Sequence, residues 1–348
     1  MQLFELFENF PGKRVLVSGV EAIVRGIFES GVKFTSIYPE TPLNELREYL
    51  QFLEVNLKDF IFNRSLYEKF EPESCIVASE AGGVILLFTG DFGQFPSKYP
   101  IIEPATVQEC IDFIKEGLKL SELYKIPIYF HVSIHLSHSY GIITFGEIEK
   151  PKDIADFKIE PLHYNKTIHE LLGDQKKTLD KITELARNNE LFQIFNKIKI
   201  IQSHDEAKAL SKIGIITSGI CYSYVIQACR KLKINTSILK HGLRFPINIE
   251  GICNFIIQND ITILLVIEEF RNVMESFSKD QFFNFCDIKK DLEIHNISKS
   301  KTEKLNTDIV LRFLCKYFKT NNKYILEEIN KKEEILEEIL PKLPKRDT

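Results

Sequence analysis

Residues Lys13–Pro39 read KRVLVSGVEAIVRGIFESGVKFTSIYP. KRVLVSG is short and β-branched, as a strand requires. It yields to VEAIVRGIFESG, where Ala22, Ile23, Gly26 and Ile27 make one small-to-apolar helical face and Gly31 stands as the C′ stop. VKFTSIYP returns to strand. A strand, a helix and a strand in this order predict a β-α-β unit, with two parallel strands and a right-handed crossover.

The same logic recurs downstream. Leu43, Leu46, Leu50 and Leu53 follow at helical spacing. GGVILLFTGD (Gly82–Asp91) is an apolar strand. EPATVQECIDFIKEGLKLSELYK opens with a capping box, Thr106 and Glu109, and turns Val107, Cys110, Ile111, Ile114 and Leu118 inward. IPIYFHVSIHLSHS is expected as one long strand. Residues 165–200 are charged and helical in pattern. A second β-α-β series begins at KIGIITSG (Lys212–Gly219) and runs through CYSYVIQACRKL, NTSILKHG, IEGICNFIIQN and ITILLVIEE. In the tail, Ile325, Ile329, Ile335 and Ile339 lie on a charged helix that breaks at Pro341 and Pro344. The expected fold is α/β: two doubly wound parallel-sheet domains joined by a helical linker, with a C-terminal helix.

Composition narrows the function. The 348 residues are 44% hydrophobic, which suits packed cores and excludes a disordered chain. A formal net charge of -4 offers no basic field for nucleic acid. No apolar run is long enough for a membrane span, and the first residues lack a secretory pattern. The seven cysteines, Cys75, Cys110, Cys221, Cys229, Cys253, Cys286 and Cys315, show no C-x-x-C spacing. They read as buried reduced thiols of a cytoplasmic protein.

Four blocks, in order, carry a family likeness. SGVEAIVRGIFESGVKFTSIYPETPLNEL matches S-G-N-E-A-I-A-R-G-A-x-E-A-G-V followed by Y-P-G-T-P-S-S-E. The others are IIEPATVQECIDFIKEGLKLSELYKIPIYF with LSHS, then GIITSGICYSYV with SILKHGLRFPIN, then LLVIEE. The chain resembles the α subunit of indolepyruvate:ferredoxin oxidoreductase, of the 2-oxoacid:ferredoxin oxidoreductases. The resemblance implies thiamine diphosphate chemistry on a 2-oxoacid, with electrons passed through iron–sulfur clusters. It implies a pyrimidine-binding domain at 1–160, a helical linker at 161–209, a transketolase C-terminal-like domain at 210–318 and a charged helix and tail at 319–348.

Within the resemblance, Thr41 matches the threonine of the family's Y-P-x-T-P motif at the cofactor. Its position before Pro42 also suits an N-cap, so capping alone and capping with cofactor contact both stand. Glu80, in SEAGG, resembles the S-E-A-G run of related pyruvate enzymes and reads equally as a solvated loop carboxylate. Glu68 and Glu71 are further candidates for the glutamate that activates the aminopyrimidine. His131, Ser133 and His135 are expected on one strand face, with His138 on the other. The histidines read as strand-end residues and not as a metal site, and within the resemblance His131 and His135 replace family arginines. Asp91 and Gly93 survive from a family loop that is otherwise gone. Lys240, Gly242 and Pro246 match an L-K-x-G-x-x-x-P pattern. Glu268 and Glu269 match a paired E-E, read as interface or strand-exit residues.

The chain has no G-D-G…N-N diphosphate motif and no ferredoxin-like cysteine cluster, so it carries no iron–sulfur site. It stops at ILPKLPKRDT, roughly where the family's diphosphate-binding domain would begin. Two readings follow. One is an enzyme subunit, inactive alone, which binds thiamine diphosphate only with a partner chain carrying the diphosphate-binding domain. The other is a non-catalytic scaffold or regulatory paralogue, self-associating or bound to such a partner.

Overall fold

The computed structural model describes residues 3–32, 34–37, 43–56, 60–64, 86–89, 99–124, 126, 128–149, 180–202, 212–269, 292–297, 305–318 and 323–339. A 3-10 turn at Leu3–Phe7 precedes strand β1 (Arg14–Ser18) and helix α1 (Gly19–Glu29). Ser18 starts the helix through a full capping box: its hydroxyl accepts from the Glu21 N–H, and Glu21 accepts from the Ser18 N–H at 2.7 Å. Gly31 has φ +63°, the left-handed stop that its place after the helix requires. Ser18→Ala is expected to cost about 1 kcal/mol in urea unfolding, because the Glu21 N–H at the helix end loses its acceptor.

The first strand does not do what its sequence neighbourhood suggests. β1 does not pair with β2 (Phe34–Ile37). It forms an antiparallel ribbon with β7 (Tyr140–Thr144), in the register Val15↔Ile143 and Val17↔Gly141. The ribbon continues through Phe145 N–H to Lys13 C=O and Gly12 N–H to Phe145 C=O. Packing explains the exchange. Val17 and Ile143 are fully buried on one face of the ribbon, while Leu16 and Ile142 are exposed on the other. A one-faced ribbon lies over a core and need not enter a sheet that is covered on both sides.

The six-stranded sheet has the order β11-β5-β6-β4-β2-β3. Here β3 is Ile61–Arg64, β4 Leu86–Thr89, β5 Ile101–Ile102, β6 Ile128–His131 and β11 Leu243–Phe245. Strands β2 to β6 run parallel; β11 joins antiparallel to β5. Helix α2 (Leu43–Asn56) buries Leu46, Leu50 and Leu53 as the leucine spacing required. Helix α3 (Val107–Tyr124) packs on α1, where a Cβ at Gly26 would lie 3.1 Å from the Ile111 Cα. The expected long strand from Ile126 is shorter. Ser133 caps a helical turn α4 (Ile134–Ser137), accepting from the Leu136 N–H, and the chain re-enters strand only at Tyr140. A serine that offers its hydroxyl to the backbone competes with the sheet ladder.

Within the stretch read as a linker, α5 (residues 180–187) and α6 (Asn189–Phe195) lead into β8 (Lys197–Ile201). The five-stranded sheet has the order β13-β12-β9-β10-β8. Its strands β9 (Ile213–Thr217), β10 (Thr236–Lys240), β12 (Ile263–Ile267) and β13 (Glu293–Asn296) are parallel, and β8 is an antiparallel edge. Helix α7 (Cys221–Leu232), with α9 (Thr307–Cys315) and α10 (Lys323–Ile339), covers one face; α8 (Ile249–Gln258) contributes Ile252 and Phe255 to the apolar cluster that contains Leu239 and Leu264. The two α/β sheets and the C-terminal helix are as the sequence implied. Cys110, Cys221, Cys229 and Cys315 are free thiols, but Cys253 is disulfide-bonded, which corrects the all-reduced expectation.

Candidate functional site

Parallel strands present their carboxyl ends to one edge of a sheet, and that edge is where α/β folds place ligands. The two sheets meet there. From the first come Glu103, just after β5, and His131, the last residue of β6. From the second come Ser218 after β9, His241 after β10, and Glu268 and Glu269 after β12. Arg244 lies in β11, the strand that returns from the second half to join the first sheet.

These polar side chains are buried. His131 Nδ1 lies 3.0 Å from Glu103 Oε1. Arg244 Nη1 lies 3.3 Å from Glu103 Oε2, and Arg244 Nη2 donates to Glu268 Oε2 at 3.1 Å. The guanidinium therefore spans carboxylates of both sheets. The Gly242 carbonyl also accepts from the Glu103 N–H at 2.8 Å. Beside it, Lys240, 1% exposed, donates to Glu109 Oε1 at 2.6 Å and sits 4.7 Å from the Phe113 ring centre. Glu109 completes its own helix start less symmetrically than expected: its N–H donates to Thr106, but its carboxylate accepts from Ala105.

Charge follows geometry. Burial would raise the Glu103 pKa, yet Arg244, His131 and a Ser218 hydrogen bond outweigh it and hold the carboxyl at about 2. Burial would likewise lower that of Arg244, but Glu103 and Glu268 keep it above its ordinary value. His241 is pushed down to about 3, by burial first and then by Arg244 and Lys240. Among the described residues, its Nε2 has no hydrogen-bond partner. Burial, reinforced by Glu269 and Glu103, lifts the Cys221 thiol well above its usual range, so it is protonated and unreactive at neutral pH.

The sequence-derived candidates divide. Thr41, Glu80, Glu68, Glu71, Asp91 and Gly93 lie outside the described residues. His131, Ser133 and His135 do not share a strand face: His131 ends β6, whereas His135 lies in α4. His138, half-exposed, faces Glu45 at 3.6 Å. Lys240, Glu268 and Glu269 are buried, and Glu269 accepts from the Leu305 N–H at 2.8 Å. Glu268 and Glu269 leave strand β12 as read, and all three side chains hold ion-pair or hydrogen-bond partners. A Cβ at Gly242 would collide with the Phe195 carbonyl. Glu103, Arg244 and His241 belong to no motif identified in the sequence; the available signal is charge inside apolar stretches, as in IIEPA and KHGLRF. Among the described residues, no three His, Cys, Asp or Glu side chains converge to hold a metal. The surface hollow lined by Asp180, Thr183, Glu184, Arg187 and Asn188 shares no residue with the cluster.

The fold is similar to the transketolase-like α/β folds of solved enzymes. One solved neighbour is a 2-oxoglutarate:ferredoxin oxidoreductase from Magnetococcus marinus, with TM-score 0.60 and 15% identity over 88% of this chain and 65% of that one. Another is a split-gene transketolase in an inactive beta4 tetramer, with TM-score 0.50 and 11% identity over 86% and 97%. At the level of sequence, the chain is similar to indolepyruvate oxidoreductase subunit IorA, as the motifs implied. The Methanothermobacter marburgensis protein is 24% identical over 79% of this chain and 50% of its own length. The Pyrococcus abyssi protein is 25% identical over 96% and 57%. The chain thus spans about half the length of the curated relatives it matches. No family model matches it. Among the described residues, no helix is long and apolar enough to cross a membrane.

Thiamine diphosphate, implied by the resemblance, needs a carboxyl that can share a proton with the aminopyrimidine nitrogen. The buried cluster does not fit that role. Glu103 is held ionised by Arg244 and His131, and Glu268 is bound to the same guanidinium. Glu29 is taken by Arg25 at 2.7 Å and Lys115 at 3.2 Å, and Glu109 by Lys240.

Proposed function

We propose that the chain is a subunit of a thiamine diphosphate-dependent 2-oxoacid:ferredoxin oxidoreductase of the indolepyruvate type. It contributes the pyrimidine-side unit (1–160) and the transketolase C-terminal-like unit (210–318), joined by the 161–209 linker and followed by the 319–348 helix and tail. It is cytoplasmic and inactive alone. A partner chain supplies the diphosphate-binding domain and the iron–sulfur clusters, and Thr41 and Glu80 are the cofactor-side residues of this chain. The observation that carries the reading is the match to IorA along most of this chain.

A second reading is a non-catalytic scaffold or regulatory paralogue. Two observations favour it: the buried carboxylates of Glu29, Glu103, Glu109 and Glu268 are held in ion pairs, and a fold neighbour of nearly matching extent assembles from copies of itself in an inactive tetramer. Tagged full-length chain, purified from its source cells, is expected to bring down a partner with iron–sulfur absorbance. The complex should bind thiamine diphosphate by calorimetry, with affinity that falls at least tenfold in Thr41→Ala. Recovery of the chain alone, or with itself only, sinks the first reading; tight Thr41-dependent binding sinks the second.

A further inference from the structure

The turn Ser218-Gly219-Ile220 joins parallel strand β9 to helix α7. In open α/β sheets, a turn of this kind places an anionic ligand against the helix N-terminus at the strand carboxyl end. Helix α7 brings no side-chain cap of its own. Its N-cap residue is Ile220, which makes no capping hydrogen bond. Gly219 has φ +50°, and a Cβ there would collide with the Glu103 carboxylate. An anion-sized space at this turn is therefore filled by a carboxylate from the other sheet.

That carboxylate is bound as a ligand would be. The Ser218 hydroxyl donates to it, Arg244 faces it at 3.3 Å, and His131 contacts it at 3.0 Å. Arg244 is 2% exposed and His131 is 2% exposed, so the contact lies away from bulk solvent. His241, also 2% exposed, stands beside the pair with Nε2 unpartnered. The Glu103 field reaches Cys221, the first residue of α7.

We infer that the β9–α7 turn, with Ser218 and Arg244, is an oxyanion-binding site whose resident ligand is the chain's own Glu103. The ligand crevice of the second sheet is closed from within, by a plug that also ties the two sheets together. The site is selective for a small carboxylate and opens to one when the plug is shortened. This assignment is independent of the cofactor and the partner.

Acetate is the probe. In full-length Glu103→Ala at neutral pH, replacing chloride by acetate at equal ionic strength is expected to raise the melting temperature by about 2–5 °C. Wild type, already plugged, should not distinguish the two salts. Adding Ser218→Ala to Glu103→Ala should weaken the acetate effect. Equal melting temperatures in acetate and chloride overturn the inference, as does an acetate effect of the same size in wild type. If Glu103→Ala refolds poorly, refolding yield is read in the two salts. A higher yield in acetate supports the site; equal yields overturn it.

Discussion

Arg244→Met is expected to destabilise the protein by about 3–5 kcal/mol, a large part of a typical domain's stability. Methionine fills much of the arginine's volume, so the loss is electrostatic. The guanidinium sits between Glu103 Oε2 at 3.3 Å and Glu268 Oε2 at 3.1 Å, all three groups buried. Removing it takes the shared cation from two buried carboxylates and leaves Glu103 with only His131 and Ser218 of its three partners, so part of the charge must protonate or drag the structure open. Glu103 and Glu268 belong to different sheets, so the loss should also split a single unfolding transition into two. Urea denaturation with two probes measures both effects. Replacing the carboxylates as well, in Arg244→Met/Glu103→Gln/Glu268→Gln, should recover part of the loss, since the penalty belongs to the unpaired charges. A single variant within about 1 kcal/mol of wild type would mean that water reaches the cluster and screens it.

The legibility of this chain was uneven for physical reasons. Helices declared themselves locally. Apolar spacing fixed α2 and α3, and Gly31 marked a stop, with its positive φ. Strand identity was legible and strand partnership was not. Val15 and Val17 read as strand residues in any register, but only the folded chain shows that β7 is their partner. Ser133 misled because a hydroxyl in an apolar run looks like one polar face of a strand until it caps a helical turn. The charged cluster was invisible as a unit. Glu103, His131, Arg244 and Glu268 are far apart in sequence, each has an innocent local reading, and only the facing carboxyl ends of two sheets unite them.

That union also sets how the protein responds to acid, and the largest pH effect falls on His241. Its ordinary pKa is 6.5 and the folded chain lowers it to about 3. Burial is the main cause; Arg244 of β11 and its neighbour Lys240 of β10 add to it, and Glu103 opposes them. Above pH 6.5 the ring is neutral whether folded or not, and His241 places no proton-linked burden on the fold. Below that, the unfolded chain takes a proton that the folded chain refuses, so stability falls with pH until the folded ring itself titrates near 3. Glu103 adds to the loss only lower down. Its folded pKa of about 2 lies under the ordinary 4.5, so its contribution is intact above 4.5 and disappears as pH falls toward 2. The two groups therefore act in successive windows. Between 6.5 and 4.5, His241 alone of the pair should remove about 2–3 kcal/mol. His241→Gln keeps a polar side chain of similar size without the titrating ring, and it should flatten that upper window while leaving the lower one in place. Urea unfolding of both proteins across the range tests this. An unchanged slope in His241→Gln above pH 4.5 would move the acid sensitivity to another group.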